Sequence, residues 1–318
     1  MRALITRIPS DPTVVDRVGA VAEVAAFDGT EPIPRDILLD MVVGVDGVLA
    51  MLTDRIDVDV LDAAPDLRVV SNMAVGVDNI DLGACAERGI AVGHTPDVLT
   101  ETTADTAWML MLAASRRLRE GTETVASGQW GPWNPTELLA HDVSRTALGI
   151  VGMGRIGAAI ARRAIGFDMQ VRFASRSARP TVESTTGATR VSLDVLLSES
   201  DHVVLAVPLT AETKHLIGAD ELARMKPTAN LVNIARGPVV DSGALVEALR
   251  TGVIRCAGLD VTDPEPLPPD HPLALLPNCL VIPHMGSSTW RTRNAMANLA
   301  AENLIAGLLG EPLPHAIG

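Results

Sequence analysis

Three titratable side chains follow apolar, strand-like segments in the second half of the chain. Arg236 comes directly after one such segment and His284 after another, whereas Glu265 lies in a Pro-rich loop behind a third segment that ends at Asp260. A guanidinium can hold a carboxylate and a neighbouring carbonyl oxygen at two points. A carboxylate paired with an imidazole favours the protonated ring and so makes a general acid. These residue types predict a site that binds a carboxylate beside a carbonyl group and supplies a proton.

Each of these residues also has a simpler interpretation. Arg236 alone would more readily be a surface arginine, and His284 alone a histidine that hydrogen-bonds to backbone at a strand end. These alternatives weaken because the three side chains follow successive strands of one predicted sheet. Open α/β sheets bind their ligands at the carboxyl ends of the strands, where such side chains meet.

A glycine-rich segment precedes these residues. Residues 148–157 read LGIVGMGRIG, which places GxGxxG directly after a strand and at the start of a helix. Gly152 permits the tight turn, Gly154 the approach of a pyrophosphate, and Gly157 the close packing of helix against strand. The pattern alone is weak, but strand, glycines, helix and a further strand occur here in the required order. The segment predicts a dinucleotide site.

The end of the next strand bears on which dinucleotide is bound. NAD-binding chains usually carry Asp or Glu there, about 20 residues after the glycines, to accept the ribose hydroxyls. Residues 173–179 read FASRSAR instead. Ser175 could donate to a 2′-phosphate, and Arg176 and Arg179 could pair with its charge, whereas a carboxylate would repel it. The alternative is a basic, solvated loop. The missing acid favours NADPH, with NADH as the other candidate.

Strand-like and helical segments alternate along the chain, which predicts an α/β fold with mostly parallel sheets. The first series has predicted strands at 3–6, 21–27, 47–52, 67–74 and 90–93, with helices at 34–43, 58–64 and 82–88. The second has predicted strands at 147–151, 170–174, 201–207, 229–234, 255–260 and 279–283, with helices at 155–167 and 242–250. Long helical stretches at 103–118 and about 288–309 lead out of the first series and back to it.

We therefore predict two doubly wound parallel-sheet domains, one flavodoxin-like and one Rossmann, with an interdomain cleft. Residues 1–98 plus 290–318 would form the substrate-binding (catalytic) domain, and residues 99–289 the dinucleotide-binding domain. The length of 318 residues fits two domains rather than one. A cleft between domains is a natural place for a ligand.

Composition excludes several classes of protein. The formal charge of −13 argues against nucleic-acid binding, which needs clustered Lys and Arg. Cys85, Cys256 and Cys279 stand alone, without metal-ligand spacing, which fits a reducing compartment and no metal site. No apolar run is long enough to span a membrane, and the N-terminus lacks a secretory pattern. We expect a cytoplasmic protein.

These segments resemble the D-isomer-specific 2-hydroxyacid dehydrogenase family over essentially the whole chain. The family's Arg, Glu and His match Arg236, Glu265 and His284 in this sequence. Residues 75–78 (VGVD), 95–100 (TPDVLT) and 208–210 (PLT) are similar as well.

Two further stretches resemble the glyoxylate/hydroxypyruvate reductase branch in particular. They are HMGSST at residues 284–289, followed by RTRN at 291–294, and DVTDPEPLP at 260–268. NAD-linked members of the family carry an acid where Ser175 stands here, whereas the NADP-linked members of this branch lack it. The resemblance therefore supports the same cofactor preference.

The resemblance implies a mechanism and assigns residues to it. The N–H groups of Val75 and Gly76, with Arg236, would hold the substrate carboxylate, and Arg236 would also polarise the 2-oxo group. Hydride would come from the nicotinamide. His284 would supply the proton to the oxygen, with Glu265 keeping His284 protonated.

The resemblance also implies the remaining contacts. Ser287 is expected at the substrate. The pyrophosphate would bind to backbone groups after the second glycine, the adenosine end to the basic loop, and the nicotinamide to later strand ends. The residues expected at the cofactor are Thr103, Gly152, Gly154, Arg155, Ile156, Ser175, Arg176, Ser177, Arg179, Pro208, Ile234, Asp260, His284 and Gly286.

Trp130 and Trp133 are unusual in a chain with so few aromatic residues. One interpretation is that they pack against the long crossover helices, because a Trp buries much apolar area. The other, which the resemblance suggests, is that Trp133 reaches the substrate pocket of a neighbouring subunit in a homodimer formed through those helices.

The sequence thus predicts NADPH-dependent reduction of glyoxylate or hydroxypyruvate to the 2-hydroxy acid. Within the same class, a reductase of bulkier 2-oxo acids is the alternative. A different class is a dinucleotide-sensing binding protein on the same scaffold, such as the corepressors related to this family. Fold alone does not separate that class from an enzyme.

Overall fold

The computed structural model describes residues 1–317. It contains two series of parallel strands, one within residues 2–93 and one within residues 147–281. Their bounds are β1 Arg2–Ile5, β2 Glu23–Ala26, β3 Gly47–Ala50, β4 Val69–Asn72, β5 Ala91–Gly93, β6 Ala147–Val151, β7 Gln170–Ala174, β8 Thr189–Arg190, β9 His202–Leu205, β10 Asn230–Asn233, β11 Cys256–Leu259 and β12 Cys279–Val281.

Helices connect nearly all of these strands. Their bounds are α1 Thr13–Gly19, α2 Arg35–Met41, α3 Val58–Ala63, α4 Leu82–Glu87, α5 Thr100–Ser115, α6 Leu118–Ala126, α7 Arg155–Ala164, α8 Pro180–Thr186, α9 Leu193–Glu199, α10 Ala219–Arg224, α11 Ser242–Thr251, α12 Pro272–Leu275 and α13 Trp290–Leu309. Short 3-10 turns cover Ile165–Phe167 and Gly237–Val239.

The chain divides into two compact units. Unit 1 comprises Met1–Leu99 and the chain from Ser287 onward, and unit 2 comprises Thr100–Gly286. The predicted bounds, 98/99 and 289/290, differ from these by one residue and by three. The prediction of two parallel-sheet α/β domains is confirmed.

The sheet of unit 1 has the order β2-β1-β3-β4-β5 among the described residues, and every pairing is parallel. This is the flavodoxin-like order. Helix α13 returns to this sheet and packs against β3 and β4. The close approach of α13 to β4 depends on Gly307, since a Cβ there would lie 2.5 Å from the Cβ of Val69. The Ser71 hydroxyl then donates to the Ala300 carbonyl at 2.7 Å.

The sheet of unit 2 has the order β12-β11-β10-β9-β6-β7-β8 within residues 1–317, again with parallel pairing throughout. The chain starts at the central strand β6, runs outward to β8, and then crosses back to β9 on the other side. That reversal is the topological switch point at which doubly wound sheets bind dinucleotides. The GxGxxG turn follows β6, the strand at this point.

Aliphatic side chains fill the cores, as the scarcity of aromatic residues predicts. Strands β3, β6, β9 and β10 are buried along their whole length, which is typical of parallel sheets covered on both faces. Two aromatic side chains also lie in the core of unit 2. Phe173 is fully buried, and the ring of the buried Trp108 lies 4.4 Å from that of Phe167. Cys85, Cys256 and Cys279 are buried and unpaired. No helix within residues 1–317 is long and apolar enough to cross a membrane.

Some predicted bounds were wrong. The predicted helix 103–118 corresponds to α5, which begins at Thr100 and ends at Ser115, since Arg117 adopts a left-handed conformation (φ 55°). Helix α6, which begins at Leu118, was not predicted. Helix α1 was missed because its residues carry only a weak apolar stripe, with Val14 and Val18 as its buried positions. The short strand β8 was missed because both of its residues are polar and exposed.

Candidate active site

Glu265 and His284 form an ion pair at the carboxyl edge of the unit 2 sheet. The Nδ1 atom of His284 lies 2.6 Å from Oε1 of Glu265. The other carboxylate oxygen accepts from the N–H of Thr262 at 3.3 Å. The side chains are 24% and 37% exposed respectively, so both remain partly accessible to solvent.

The pKa of Glu265 shows which atom of the pair carries the proton. Burial raises this pKa, but the hydrogen bond and charge of His284, the Thr262 N–H and the charge of Arg236 together hold it below its usual value. The carboxylate is therefore ionised near neutral pH and can only accept hydrogen bonds. It follows that Nδ1 of His284 is the donor, and that Nε2 remains for another partner.

Asp260 holds the turn that carries His284. Its carboxylate accepts from the N–H of Met285 at 2.5 Å and from that of Gly286 at 2.9 Å, and its carbonyl accepts from the N–H of His284 at 2.8 Å. His284 has φ 49°, a left-handed conformation that a side chain other than Gly adopts at some cost. Asp260 is 2% exposed, and burial raises its pKa against the opposing effect of these N–H groups. Its carboxylate therefore fixes the orientation of the imidazole.

Arg236 is placed beside this pair by the turn after β10. The Asn233 amide donates to the Arg236 carbonyl at 2.9 Å and accepts from the Ala235 N–H at 3.0 Å. Gly237 lies against the backbone of Thr262, where a Cβ would overlap the carbonyl. The guanidinium donates to the Ala235 carbonyl at 2.9 Å and lies close enough to Glu265 to lower its pKa. The structure thus brings Arg236, Glu265 and His284 together, as the sequence predicts.

The GxGxxG turn has the geometry of a dinucleotide cradle. Gly152 has φ 99°, and a Cβ there would lie 2.5 Å from the Ala206 carbonyl oxygen. Gly154 caps helix α7, and a Cβ there would meet nothing within 4 Å, which leaves room for a ligand. The first N–H groups of a helix lack carbonyl partners within it and favour an anion. The residues here, with Arg155 and Ile156 next in the helix, therefore fit a pyrophosphate.

We expect Gly157→Ala to destabilise unit 2. A Cβ at Gly157 would overlap the Gly152 carbonyl oxygen, so helix and turn would have to separate. Overpacking of this kind costs about 1–3 kcal/mol. Denaturant unfolding would measure the loss, and Gly166→Ala is the matched control because a Cβ there meets nothing within 4 Å. Equal stability of the two variants would contradict the close contact.

The basic loop after β7, residues 175–179, makes local hydrogen bonds. The Ser175 hydroxyl donates to the Ser177 carbonyl at 2.6 Å, so direct donation to a phosphate requires this bond to be exchanged. The Arg179 N–H donates to Glu183 at 2.9 Å. The guanidinium groups of Arg176 and Arg179 are exposed and make no hydrogen bond or ion pair with any described residue. The pKa of Glu212 is lowered mainly by the Thr210 hydroxyl, with a smaller effect of the Arg176 charge. They are the groups of this loop that an anion could pair with.

The residues predicted on the nicotinamide side lie at later strand ends of the same sheet. Thr103 of helix α5 is buried against Gly286, where a Cβ would lie 3.4 Å from its methyl group. Ile234 is buried directly after β10. Pro208 is exposed beyond β9, and its carbonyl accepts from the Thr213 hydroxyl at 2.6 Å.

The predicted substrate loop of unit 1 follows β4. The Val75 carbonyl lies 2.9 Å from Nδ1 of His94, and the Gly76 carbonyl accepts from the Asn72 amide at 2.9 Å. In a trans peptide the N–H points opposite to the C=O of the same unit. The Ala74 carbonyl accepts from the Thr95 N–H and the Val75 carbonyl faces His94, so the N–H groups of Val75 and Gly76 turn away from these partners. The N–H groups of Val75 and Gly76 have no hydrogen-bond partner within residues 1–317.

Two comparisons of the sequence show its family. The family model for the NAD-binding domain of D-isomer-specific 2-hydroxyacid dehydrogenases matches residues 108–286, more than half of the chain. The chain belongs to this family. Glyoxylate reductase of Thermococcus onnurineus is 51% identical over 299 residues, covering 93% of this chain and 89% of the relative. Human glyoxylate reductase/hydroxypyruvate reductase is 46% identical over 320 residues, covering 100% and 98%. These relatives belong to the glyoxylate/hydroxypyruvate reductase branch.

Solved structures agree with this result. The NADPH-dependent glyoxylate/hydroxypyruvate reductase of Sinorhizobium meliloti, in complex with NADP and malonate, superposes with a TM-score of 0.85 at 34% identity. It covers 100% of this chain and 96% of its own. The glyoxylate reductase of Paecilomyes thermophila gives 0.89 at 32% identity, covering 100% and 98%. The chain is an NAD(P)-dependent D-2-hydroxyacid dehydrogenase.

The sequence did not single out several polar residues that hold the predicted site residues. In unit 2, the Asn233 amide donates to the Arg236 carbonyl. In unit 1, the Asn79 amide donates to the Met51 and Asp54 carbonyls and accepts from Asn72, whose amide also donates to the Gly76 carbonyl of the predicted substrate loop. These are common polar residues whose partners lie far along the chain, so spacing gave no signal. His94 was likewise not predicted at the site, whereas its Nδ1 lies 2.9 Å from the Val75 carbonyl.

Of the remaining residues predicted at the substrate, Ser287 belongs to unit 1 and Trp133 to unit 2. Ser287 begins the second segment of unit 1, and its carbonyl accepts from the Thr289 N–H at 2.8 Å. Trp130 and Trp133 are 74% and 86% exposed, so the prediction that they pack against the crossover helices is wrong for this chain alone. No group of three or more His, Cys, Asp or Glu side chains in the described part of the chain could hold a metal ion.

Proposed function

We propose that this dehydrogenase reduces glyoxylate or hydroxypyruvate with NADPH as its preferred cofactor. The pairing of Glu265 with His284 beside Arg236 is the observation that supports the chemistry most directly. The names of the relatives support the substrates, and the loop with Ser175 and two unpaired arginines supports the cofactor.

Substrate binding follows from the positions of donors. Arg236 would hold the carboxylate and polarise the neighbouring 2-oxo group, since a guanidinium fits two acceptors at once. The unpartnered N–H groups of Val75 and Gly76 would be further donors to the carboxylate, with Ser287 as a neighbour of the substrate. A glyoxylate or hydroxypyruvate molecule offers the required carboxylate beside a carbonyl group.

Proton transfer follows from the ion pair. Nδ1 of His284 donates to Glu265, so Nε2 is the atom that would give its proton to the 2-oxo oxygen during reduction. In the oxidation direction the same atom would accept the proton of the hydroxyl. Asp260 keeps the imidazole in place through the Met285 and Gly286 N–H groups.

The chain fits a nicotinamide dinucleotide at the switch point of its unit 2 sheet. Gly152, Gly154, Arg155 and Ile156 would hold the pyrophosphate through backbone groups. Ser175 through Arg179 would hold the adenosine end, and Thr103, Pro208, Ile234, Asp260 and Gly286 would line the nicotinamide side. When bound, the reduced cofactor supplies the hydride that reduces the 2-oxo carbon.

Steady-state kinetics tests this function. The kcat/KM values for glyoxylate and hydroxypyruvate are measured with NADPH and with NADH. We expect turnover of both acids and a clear preference for NADPH. A preference for NADH would overturn the cofactor proposal alone, whereas activity confined to bulkier 2-oxo acids would overturn the substrate proposal.

We further propose that the protein acts as a homodimer through its crossover segment. Apolar side chains of residues 118–139 are exposed to an unusual extent, namely Leu118, Val125, Trp130, Trp133 and Leu139. Large apolar side chains exposed together in one segment favour an interaction site, since isolated exposed apolar residues need no such explanation. Light scattering would test the dimer, and a monomer at micromolar concentration would contradict it.

If Trp133 reaches the substrate of a neighbouring subunit, Trp133→Ala changes substrate preference. We expect the ratio of kcat/KM for hydroxypyruvate and glyoxylate to shift by about tenfold, which is typical of losing an apolar contact in a pocket. Trp130→Ala is the matched control, because Trp130 is also exposed and lies in the same segment. An unchanged ratio in Trp133→Ala would remove the role.

A further inference from the structure

Arg190 is tied to the backbone of the basic loop. Its Nε donates to the Ser175 carbonyl at 3.1 Å, and its Nη2 donates to the carbonyls of Ser175 and Arg176 at 2.8 and 2.9 Å. The strand pairing of Phe173 with Arg190 places this guanidinium directly beside the end of β7. A planar fork of donors thus spans two successive peptide groups.

These hydrogen bonds also fix the direction of two N–H groups. In a trans peptide the N–H points opposite to the C=O of the same unit. The carbonyls of Ser175 and Arg176 point at Arg190, so the N–H groups of Arg176 and Ser177 point away from it. Neither N–H has a hydrogen-bond partner within the described residues. Successive free N–H groups in a turn form a concave anion site.

The charge of Arg190 is not cancelled by a carboxylate. Its hydrogen-bond partners are carbonyls, and it forms no ion pair with any acid in the described part of the chain. By contrast, Arg172 on β7 pairs with Glu199 at 2.8 Å. The carbonyl dipoles of the loop, which would repel a phosphate, are turned toward Arg190 instead.

We propose that Arg190 is a positioning residue for a 2′-phosphate. It holds the loop so that the N–H groups of Arg176 and Ser177, together with the guanidiniums of Arg176 and Arg179, face the phosphate. This inference rests on the proposed preference for NADPH and deepens it, because it explains how an exposed loop is ordered before the cofactor binds. Preorganised donors bind more tightly than donors that must be ordered on binding.

Calorimetric binding of two adenosine ligands tests the proposal without turnover. 2′,5′-ADP and 5′-AMP differ only in the 2′-phosphate. We expect both Arg190→Gln and Arg190→Lys to weaken the binding of 2′,5′-ADP by about tenfold, or ~1.4 kcal/mol. The affinity for 5′-AMP should change little. Lys keeps the charge but lacks the fork, so it separates positioning from charge. Arg172→Gln is the matched control and should bind both ligands as the wild type does.

Other outcomes would overturn the inference in different ways. Wild-type affinity in Arg190→Lys would mean that charge alone matters. Equal weakening of both ligands would mean general damage to the adenosine site. If the wild type did not distinguish 2′,5′-ADP from 5′-AMP, the proposed NADPH preference itself would fail, and the inference with it.

Discussion

His284→Ala is expected to lower kcat for glyoxylate reduction by about 10²–10⁴-fold, the usual effect of removing a general acid. The oxygen of the 2-oxo group gains negative charge as the carbon is reduced and needs a proton. The Nε2 atom of His284 is the one not engaged by Glu265, whose ionised carboxylate accepts from Nδ1 at 2.6 Å. The affinity for the dinucleotide should change far less than kcat does, because the pyrophosphate and adenosine contacts remain. Stopped-flow measurement of NADPH oxidation would check both quantities.

The control for this prediction follows from the backbone. His284 has φ 49°, which Asn adopts more readily than Ala does. His284→Asn therefore keeps the turn that Asp260 holds, but cannot donate a proton as an acid. We expect it to lose activity as severely as His284→Ala. Near-normal turnover in His284→Asn would show that the proton comes from elsewhere.

Glu265→Gln is expected to slow reduction throughout the neutral pH range. Burial raises the pKa of Glu265, but the hydrogen bond and charge of His284 hold it below its usual value, so the carboxylate is ionised and accepts from Nδ1. Because this pKa is lowered, the support is present above it and is lost only as pH falls through it. A glutamine has no charge at any pH and does not restore this support. A profile of kcat/KM between pH 5 and 9 would show the loss, and wild-type values across that range would contradict the role of the carboxylate.

Much of this site could be predicted because parallel sheets follow simple rules. Arg236, Glu265 and His284 each come after an apolar strand, and the carboxyl ends of parallel strands meet at one edge. The apolar run 147–151 and the glycines after it likewise gave β6 and its turn with the correct bounds. In these cases local pattern and tertiary placement agree, so the sequence alone was sufficient.

The residues that orient the site could not be predicted in this way. Asn233, Arg190 and Asn79 act through hydrogen bonds to backbone carbonyls, which any residue supplies and no pattern marks. The sequence placed Asp260 at the cofactor but did not predict that its carboxylate holds the turn of His284. The N–H groups that it accepts from, those of Met285 and Gly286, are 25 and 26 positions away. Such contacts depend on the assembled fold rather than on local spacing.

Ser175→Asp is expected to reverse the cofactor preference. A carboxylate at this strand end can accept the ribose hydroxyls of NADH and would repel the 2′-phosphate of NADPH. The gain for NADH and the loss for NADPH both move the ratio of kcat/KM toward NADH. Each effect is worth about 1.5–3 kcal/mol for a hydrogen bond to a charged group, so the ratio should change by about 100-fold or more. Measurement with each cofactor at saturating glyoxylate would give this ratio.

Ser175→Ala separates the added charge from the lost hydroxyl. The Ser175 hydroxyl donates to the Ser177 carbonyl at 2.6 Å and so is occupied within the loop, whereas Arg176 and Arg179 have unpaired guanidiniums. The alanine variant should therefore keep most of the NADPH preference. If the alanine variant lost as much NADPH preference as Ser175→Asp, the hydroxyl itself would be the main donor to the phosphate. If neither variant changed the ratio, the end of β7 would not be the place where the cofactors are distinguished, and discrimination would have to come from elsewhere along the adenosine site.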